Sequence, residues 1–328
     1  MDLRRPRPPG RRRRRDAPRP LRRDRGGGSG GPRARLRAGR PGGGVPRRLV
    51  RRALRRGPPG RPRPPPGHGL PVNALVLAAG FGTRFRPATL TTPKPLLPFL
   101  GRPILHHLFD HLLAHGVDRL VVNAHHLAGR LEEALGASYR GVPVAISREA
   151  EILGTAGGIR CAFARGLLGG SFLVANGDVF TTLPLSRLEE ALEDEGDAVV
   201  SALGVLPNER PGRGTPLWAD EVGRLVQVGG ERPPGATGPW LFTGLQAARA
   251  ALVARIPDGF SELARDVLVP SARALDGAFR LVPYRAPEEG FWFDLGSPEK
   301  LARAEKEVRE RAVEPHSGSQ VLDEGRHS

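Results

Sequence analysis

The chain has 328 residues and a formal net charge of +17, yet residues 1–70 hold 24 arginines, no lysine and 3 aspartates, so the excess belongs to that segment and the remainder is net −4. The single cysteine, Cys161, excludes an internal disulfide and fits a reducing compartment, read here as the cytoplasm. No apolar run approaches the ~18 residues that span a bilayer, so no membrane partner is expected, and the basic N-terminus lacks the apolar stretch of a secretory signal.

Residues 1–71 are Arg, Pro and Gly with little to bury, which predicts a disordered basic tail. Its charge suits nucleic acid or an anionic surface, but it has none of the aromatics that RNA-binding segments interleave. Folded patterning begins abruptly at Val72, and Arg, Pro, Gly and Ala are what GC-rich codons encode. The preferred reading is a mis-assigned start, with translation beginning near Val72. No nucleic-acid partner is expected unless the tail is real; peptides from residues 1–60 in a mass spectrum would overturn the mis-assignment. Residues 72–314 read as one folded domain and residues 315–328 as a loose polar end.

From Val72 onward strand and helix patterns alternate. Leu75-Val76-Leu77 is a short apolar run ending in Ala78-Ala79-Gly80, the pattern of a buried parallel strand. Apolar residues recur at helical spacing from Ile104 to Leu113, with Gly116 closing the helix. Strands follow at 120–122 and 142–146, with a short amphipathic helix at 127–135 between them. Thr155 is placed to cap a helix running from Gly157 to Leu167. A strand at 172–174 runs into Asn176-Gly177-Asp178, then come a helix at 185–192 and a strand at 198–203. This order predicts an α/β fold, a doubly wound, mostly parallel sheet with helices on both faces. Ligands of such sheets sit at the carboxyl ends of the strands, where Gly80–Arg84 and Asp178 fall. Residues 207–240 read as a small β-rich lobe over the crevice. Helix returns at 261–275, strands at 279–284 and 291–294, and Ser297 caps a last helix with Pro298 in its first turn.

The chemistry starts at Gly80-Phe81-Gly82-Thr83-Arg84, where glycines let a backbone approach a polyphosphate. The spacing matches neither G-x-G-x-x-G nor the Walker loop. Two glycines alone would be a plain turn, but Arg84 is followed ten positions later by Lys94, the only lysine in the first 299 residues. A chain that otherwise uses arginine keeps lysine where a compact ammonium is wanted. Asp178, past a strand end, is placed to hold Mg²⁺ against phosphates, and Asp294 supplies the second carboxylate; one or two suffice when phosphates provide the rest. Each alone also reads as a turn residue. His107, His111 and His115 share a helix face but have no zinc-type partners, and read as a solvated or subunit-facing surface, which leaves a homo-oligomer open. His125 and His126 fall on the loop after a strand. Cys161 reads as inert core.

The run LAAGFGTRFRPATLTTPKPLLPFLGRPIL, followed in order by LGTAGGI, NGDVF and FWFDLGSPEKL, resembles the signature of the sugar-phosphate nucleotidyltransferases over about residues 72–308. It is most similar to the short mannose-1-phosphate guanylyltransferase-like and N-acetylmuramate-1-phosphate uridylyltransferase-like members. The resemblance implies a Rossmann-like fold and in-line attack of a sugar 1-phosphate on the α-phosphorus of an NTP, GTP or UTP, with Mg²⁺ as cofactor. Arg84, Lys94 and Asp178 are then catalytic, and Asp178 and Asp294 hold the metal. Leu77, Ala78, Ala79, Gly80, Gly82, Thr83, Gly154 and Thr155 contact the nucleotide. Asn176, Glu231 and Arg232 face the sugar phosphate, with Arg232 standing where many relatives have lysine; the Glu231-Arg232-Pro233 segment also reads as simply a turn. Uridylyl and thymidylyl relatives often carry Gln just before LGT; its absence at Glu149–Ile152 leans slightly toward guanine, but the short uridylyl relatives lack it too, and base choice stays open between GTP and UTP. The alternatives are a catalytically silent nucleotide-sugar-binding regulator and a transferase for a non-sugar phosphate such as phosphocholine.

Overall fold

The computed structural model describes residues 72–209, 212, 214–286 and 288–313. The expectations for residues 1–71 and 315–328 lie outside them. Strands β1 (Asn73–Leu77), β2 (Arg119–Ala124), β3 (Val142–Arg148) and β4 (Ser171–Asn176) form a parallel core in the order β3-β2-β1-β4. The chain winds outward from β1 to β3 and then returns to β4 on the other side of β1. The winding direction therefore reverses between β1 and β4, and a crevice opens past their carboxyl ends.

Both faces of β1 are buried, which explains its unbroken apolar run. Ala74 and Val76 pack under α1 (Ile104–Ala114) and α2 (Ala128–Leu135), against Leu105, Leu108, Phe109, Leu112 and Leu131. Leu75 faces the other way, onto Ala156, Ile159 and Ala162 of α3 (Gly154–Ala164). The α1 contacts fall at 105, 108, 109 and 112, the stripe that a 3.6-residue period buries.

After β5 (Val179–Thr181) come α4 (Ser186–Asp194) and β6 (Ser201–Pro207). The strand expected at 198–203 starts later, because Gly196–Ala198 takes a 3-10 turn. Strands β7 (Leu217–Ala219), β8 (Leu225–Val228) and the thirteen-residue β9 (Thr237–Arg249) occupy the region expected to be a β-rich lobe. They do not make a separate sheet. The first half of β9 pairs with β7, its second half with β4, and β6 pairs along both, so the lobe continues the central ten-stranded sheet antiparallel. The helical region at 261–275 divides into a π-helical segment, Leu263–Leu268, and α5 (Val269–Ala274). Strand β10 (Phe279–Pro283) joins β6, and β11 (Trp292–Asp294) pairs with β5. Helix α6 (Pro298–Val313) follows, with the Lys300 amide donating to Ser297 Oγ at 3.3 Å, as the expected cap requires.

A third apolar cluster joins Phe85 and Phe99, from the loops after β1, to Phe180 of β5, Leu295, and Ala304 and Val308 of α6. Each of the Phe, Leu and Val side chains contributes about 1.5–3 kcal/mol when fully buried. This cluster sets where the loop cations and the two aspartates end up.

His107 and His111 of α1, with His115 at its C-terminal cap, are not a solvated face. His107 and His111 are buried, at 1% and 5% exposure. The His107 Nε2–H donates to Phe99 O at 2.8 Å and the His111 Nε2–H to Leu183 O at 2.9 Å, tying the helix to two loops. His115 is half-buried, with Nδ1 on His111 O at 2.9 Å. Burial lowers the His107 pKa to about 4 and that of His111 to about 3. The unfolded chain takes up protons near pH 6.5 while the folded one does not. Stability is then fully present above about pH 6.5 and falls as the pH drops toward 4, by up to about 1.4 kcal/mol per unit for each histidine. Urea midpoints of His111→Gln between pH 7 and 4 should show a shallower fall than wild type; equal slopes would contradict the assignment.

Candidate functional site

The crevice at the β1–β4 reversal has a volume of about 320 Å³. Its wall includes Leu77 at the end of β1 with Ala78, Ala79, Gly80, Gly82 and Thr83 after it, Gly154 and Thr155 at the start of α3, and Asn176 at the end of β4 with Asp178 after it. Arg84 and Lys94 line it as well. Three segments far apart in sequence thus converge on one space. The Gly177 amide, donating to Leu77 O at 2.8 Å, clips the β4 turn to the end of β1.

Lys94 is the best-anchored of the cations. Its ammonium is 2.5 Å from Asp178 Oδ2 and 5.6 Å from the centre of the Phe85 ring, with the side chain 12% exposed. A little-hydrated ammonium at the mouth of a glycine loop favours anionic oxygen. Arg84 is exposed beside it. The loop itself is braced from behind: Thr89 Oγ1 donates to Gly82 O at 2.8 Å, and the His126 Nε2–H to Thr89 O at 2.9 Å. His125 and His126 both pack against the Phe81 ring, so this pair supports the loop.

Asp294 does not line the crevice but stands at its edge. The β5–β11 pairing sets Asp294 opposite Val179, and the Leu295 amide donates to Asp178 O at 2.8 Å, so the two aspartates end neighbouring strands. The next turn holds Gly296, where a Cβ would sit 2.6 Å from Asp294 Oδ1 and 3.0 Å from the Arg84 guanidinium. Glycine there leaves room for both that carboxylate and the Arg84 guanidinium. Asp294 also pairs with the Lys300 ammonium of α6. Two carboxylates on adjacent strand ends, each already holding a cation, are a hard-oxygen donor set that fits a small divalent ion completed by phosphate and water. Among the described residues no group of three or more His, Cys, Asp or Glu converges on a metal-sized site.

Thr155 does not cap its helix. Gly154 makes the turn, so α3 starts at Gly154, and Ser261 O accepts from the Ala156 and Gly157 amides at 3.0 and 3.2 Å. The freed Thr155 hydroxyl donates to Glu262 Oε2 at 2.7 Å and accepts from the Leu263 amide at 2.8 Å. Glu262 thereby becomes part of the wall, which local sequence did not signal. Nor did it signal the floor, where Asn123 Oδ1 accepts from the Ala78 amide at 2.5 Å and Asn123 Nδ2 donates to Glu149 at 2.8 Å. Burial raises the Glu149 pKa, against the bonds from Asn123 and the Leu153 amide. A polar residue inside the apolar β2 run is the one hint the chain gives.

Glu231 and Arg232 lie outside the crevice wall, on an exposed turn between β8 and β9. Arg232 Nε donates to Ala236 O at 2.7 Å and Gln227 Nε2 to Glu231 O at 2.6 Å, so the turn is closed on itself. Cys161 is a half-buried free thiol on α3. Among the described residues no helix is long and apolar enough to cross a membrane.

The family model described as Nucleotidyl transferase matches residues 73–214. Mannose-1-phosphate guanyltransferase beta-A of Xenopus laevis is 31% identical over 236 residues, covering 69% of this chain and 62% of the relative. The mannose-1-phosphate guanylyltransferase of Mycobacterium tuberculosis is 30% identical over 262 residues, covering 77% of this chain and 70% of the relative. The chain thus spans 62% of the length of the first curated relatives it matches. Among solved structures, HddC of Yersinia pseudotuberculosis complexed with GMP-PN superposes with a TM-score of 0.58 at 22% identity, over 72% of this chain and 99% of that one. The inositol-1-phosphate CTP transferase of T. maritima gives 0.59 at 21%, over 75% and 98%. At these identities the structures establish a shared fold.

Proposed function

The chain belongs to the nucleotidyl transferase family, and on that premise we propose that it joins an NTP to a sugar 1-phosphate, giving a nucleoside-diphosphate sugar and pyrophosphate. The observation that carries the reading is the Lys94–Asp178 pair, held between a glycine loop and a strand end at the reversal of the sheet. The sugar phosphate oxygen attacks the α-phosphorus, the bond to the β-phosphate oxygen breaks, and pyrophosphate leaves with that electron pair. No side chain needs to be covalently modified, so positioning and charge neutralisation do the catalysis.

In this scheme Arg84 and Lys94 grip the triphosphate and stabilise the crowded phosphorus. The amides after β1 follow its oxygens, and Leu77, Gly154 and Thr155 hold base and ribose. Asn176, in the crevice wall, meets the sugar phosphate, and the Glu231–Arg232 turn, which lies outside that wall, is given no part in it. Asp178 and Asp294 would hold Mg²⁺, whose charge, when it is bound, offsets that of the phosphates. Residues 72–314 make up the catalytic domain, working in the cytoplasm. GTP is favoured over UTP, because relatives at 30–31% identity are named as guanylyltransferases of mannose 1-phosphate and no Gln precedes Leu153. The test is a panel of four NTPs against several sugar 1-phosphates, phosphocholine and inositol 1-phosphate. Pyrophosphate should appear with GTP and mannose 1-phosphate together and with neither alone. Silence across the panel would favour a regulatory protein, and release with phosphocholine or inositol 1-phosphate alone a non-sugar substrate.

A further inference from the structure

The chain has only three lysines, Lys94, Lys300 and Lys306, among 51 basic residues. Two of them pair with the two aspartates that the proposed reading gives to the metal: Lys94 with Asp178 and Lys300 with Asp294. Lys306 pairs elsewhere, with Glu310 one turn along α6. The two aspartate pairs differ in setting. Lys94 is 12% exposed and lies in the crevice wall, whereas Lys300 is 51% exposed, on the first turn of α6, with Asp294 at 37%. On the other side of the same carboxylate, Asp294 Oδ1 and Arg84 crowd the Gly296 slot.

We propose that Lys300 is a positioning residue that competes with the divalent cation for Asp294. Its ammonium occupies Oδ2 while no cation is bound, keeps the carboxylate turned to the crevice edge, and is displaced when the cation binds. The placement follows from the local sequence: Ser297 and Pro298 start α6 three residues past Asp294, and Lys300 is then the first cationic side chain of the helix. A lysine suits a displaceable role because its flexible, strongly hydrated ammonium returns to water at little cost, while an arginine would hold the carboxylate through a fork of donors. The pair is half-exposed, so its hold is weak and screened by salt.

This inference rests on the proposed metal role of Asp294, and the test separates the two. Mn²⁺ binding to the nucleotide-free full chain is measured by electron paramagnetic resonance, a readout independent of turnover, for wild type, Lys300→Met, Lys300→Arg, Asp294→Asn and the double variant Asp294→Asn/Lys300→Met. Lys300→Met should bind Mn²⁺ about two- to fivefold more tightly, the size of an exposed ion pair. Lys300→Arg should bind no more tightly than wild type, and Lys300→Met should add nothing on the Asp294→Asn background. Weaker binding in Asp294→Asn with no tightening in Lys300→Met would overturn the role of Lys300 and leave the metal reading standing. Unchanged binding in Asp294→Asn would overturn both. Unfolding of Lys300→Met in a thermal melt would also overturn the inference, since a displaceable surface pair cannot hold the fold.

Discussion

Lys94→Ala should lower the turnover of nucleotide transfer by at least 10²–10³-fold, about the loss when one preorganised charge is removed from a phosphoryl or oxyanion site. The ammonium sits 2.5 Å from Asp178 and over Phe85, so it is in place before substrate arrives. Its removal leaves the triphosphate with Arg84, whose side chain is exposed and less fixed. The fold should survive, because Lys94 lies on a short 3-10 turn and a pair with a 29% exposed aspartate contributes roughly 1 kcal/mol or less. Lys94→Arg should also be strongly impaired, as a planar fork cannot occupy the space of a point ammonium beside Phe85. Pyrophosphate release measured alongside thermal melting decides the matter: a wild-type rate in Lys94→Ala refutes the site, while a collapsed melt would make Lys94 structural.

Gly154→Ala should damage both the fold and nucleotide binding. Gly154 has φ +74, a region that costs an L-residue roughly 1–2 kcal/mol, and a Cβ there would sit 2.5 Å from Ser261 O. That carbonyl cannot move freely, since it caps α3 through the Ala156 and Gly157 amides. Together these cost about 3 kcal/mol or more, which for a domain of this size lowers Tm by about 6–12 °C. Nucleotide affinity should fall as well, because Gly154 and Thr155 line the crevice. Gly80→Ala is the control: no atom lies within 4 Å of its Cβ position, so its melt should match wild type. Equal melts for the two variants would contradict the turn geometry.

The parallel core was legible because β1, β2 and β4 each carry a short apolar run and α1 a 3.6-residue stripe; these signals are local and strong. The crevice was legible for a second reason: Gly80–Arg84 and Asn176–Asp178 each interrupt such a run at its carboxyl end. What stayed hidden is long-range. His107 and His111 looked like surface because helical spacing shows which side chains share a face, not what covers that face; here Phe99 and Leu183 do. The region at 207–240 read as a separate lobe because its short strands are broken by Pro and Gly, whereas β9 draws them into the main sheet along its whole length. Glu262 and Ser261 joined the site only through Thr155 and the start of α3, a contact more than a hundred residues apart in the chain. Lys300 drew no reading from the sequence, because its reach to Asp294 depends on where α6 begins.

The most direct test of the central claim follows the label from GTP radiolabelled at the α-phosphate, incubated with mannose 1-phosphate, Mg²⁺ and the full chain. The label should pass into a nucleoside-diphosphate sugar, one for each pyrophosphate released, and this transfer should vanish in Asp178→Asn. Label appearing in GDP or GMP without any nucleotide sugar, or pyrophosphate released at the same rate without the sugar phosphate, would contradict it.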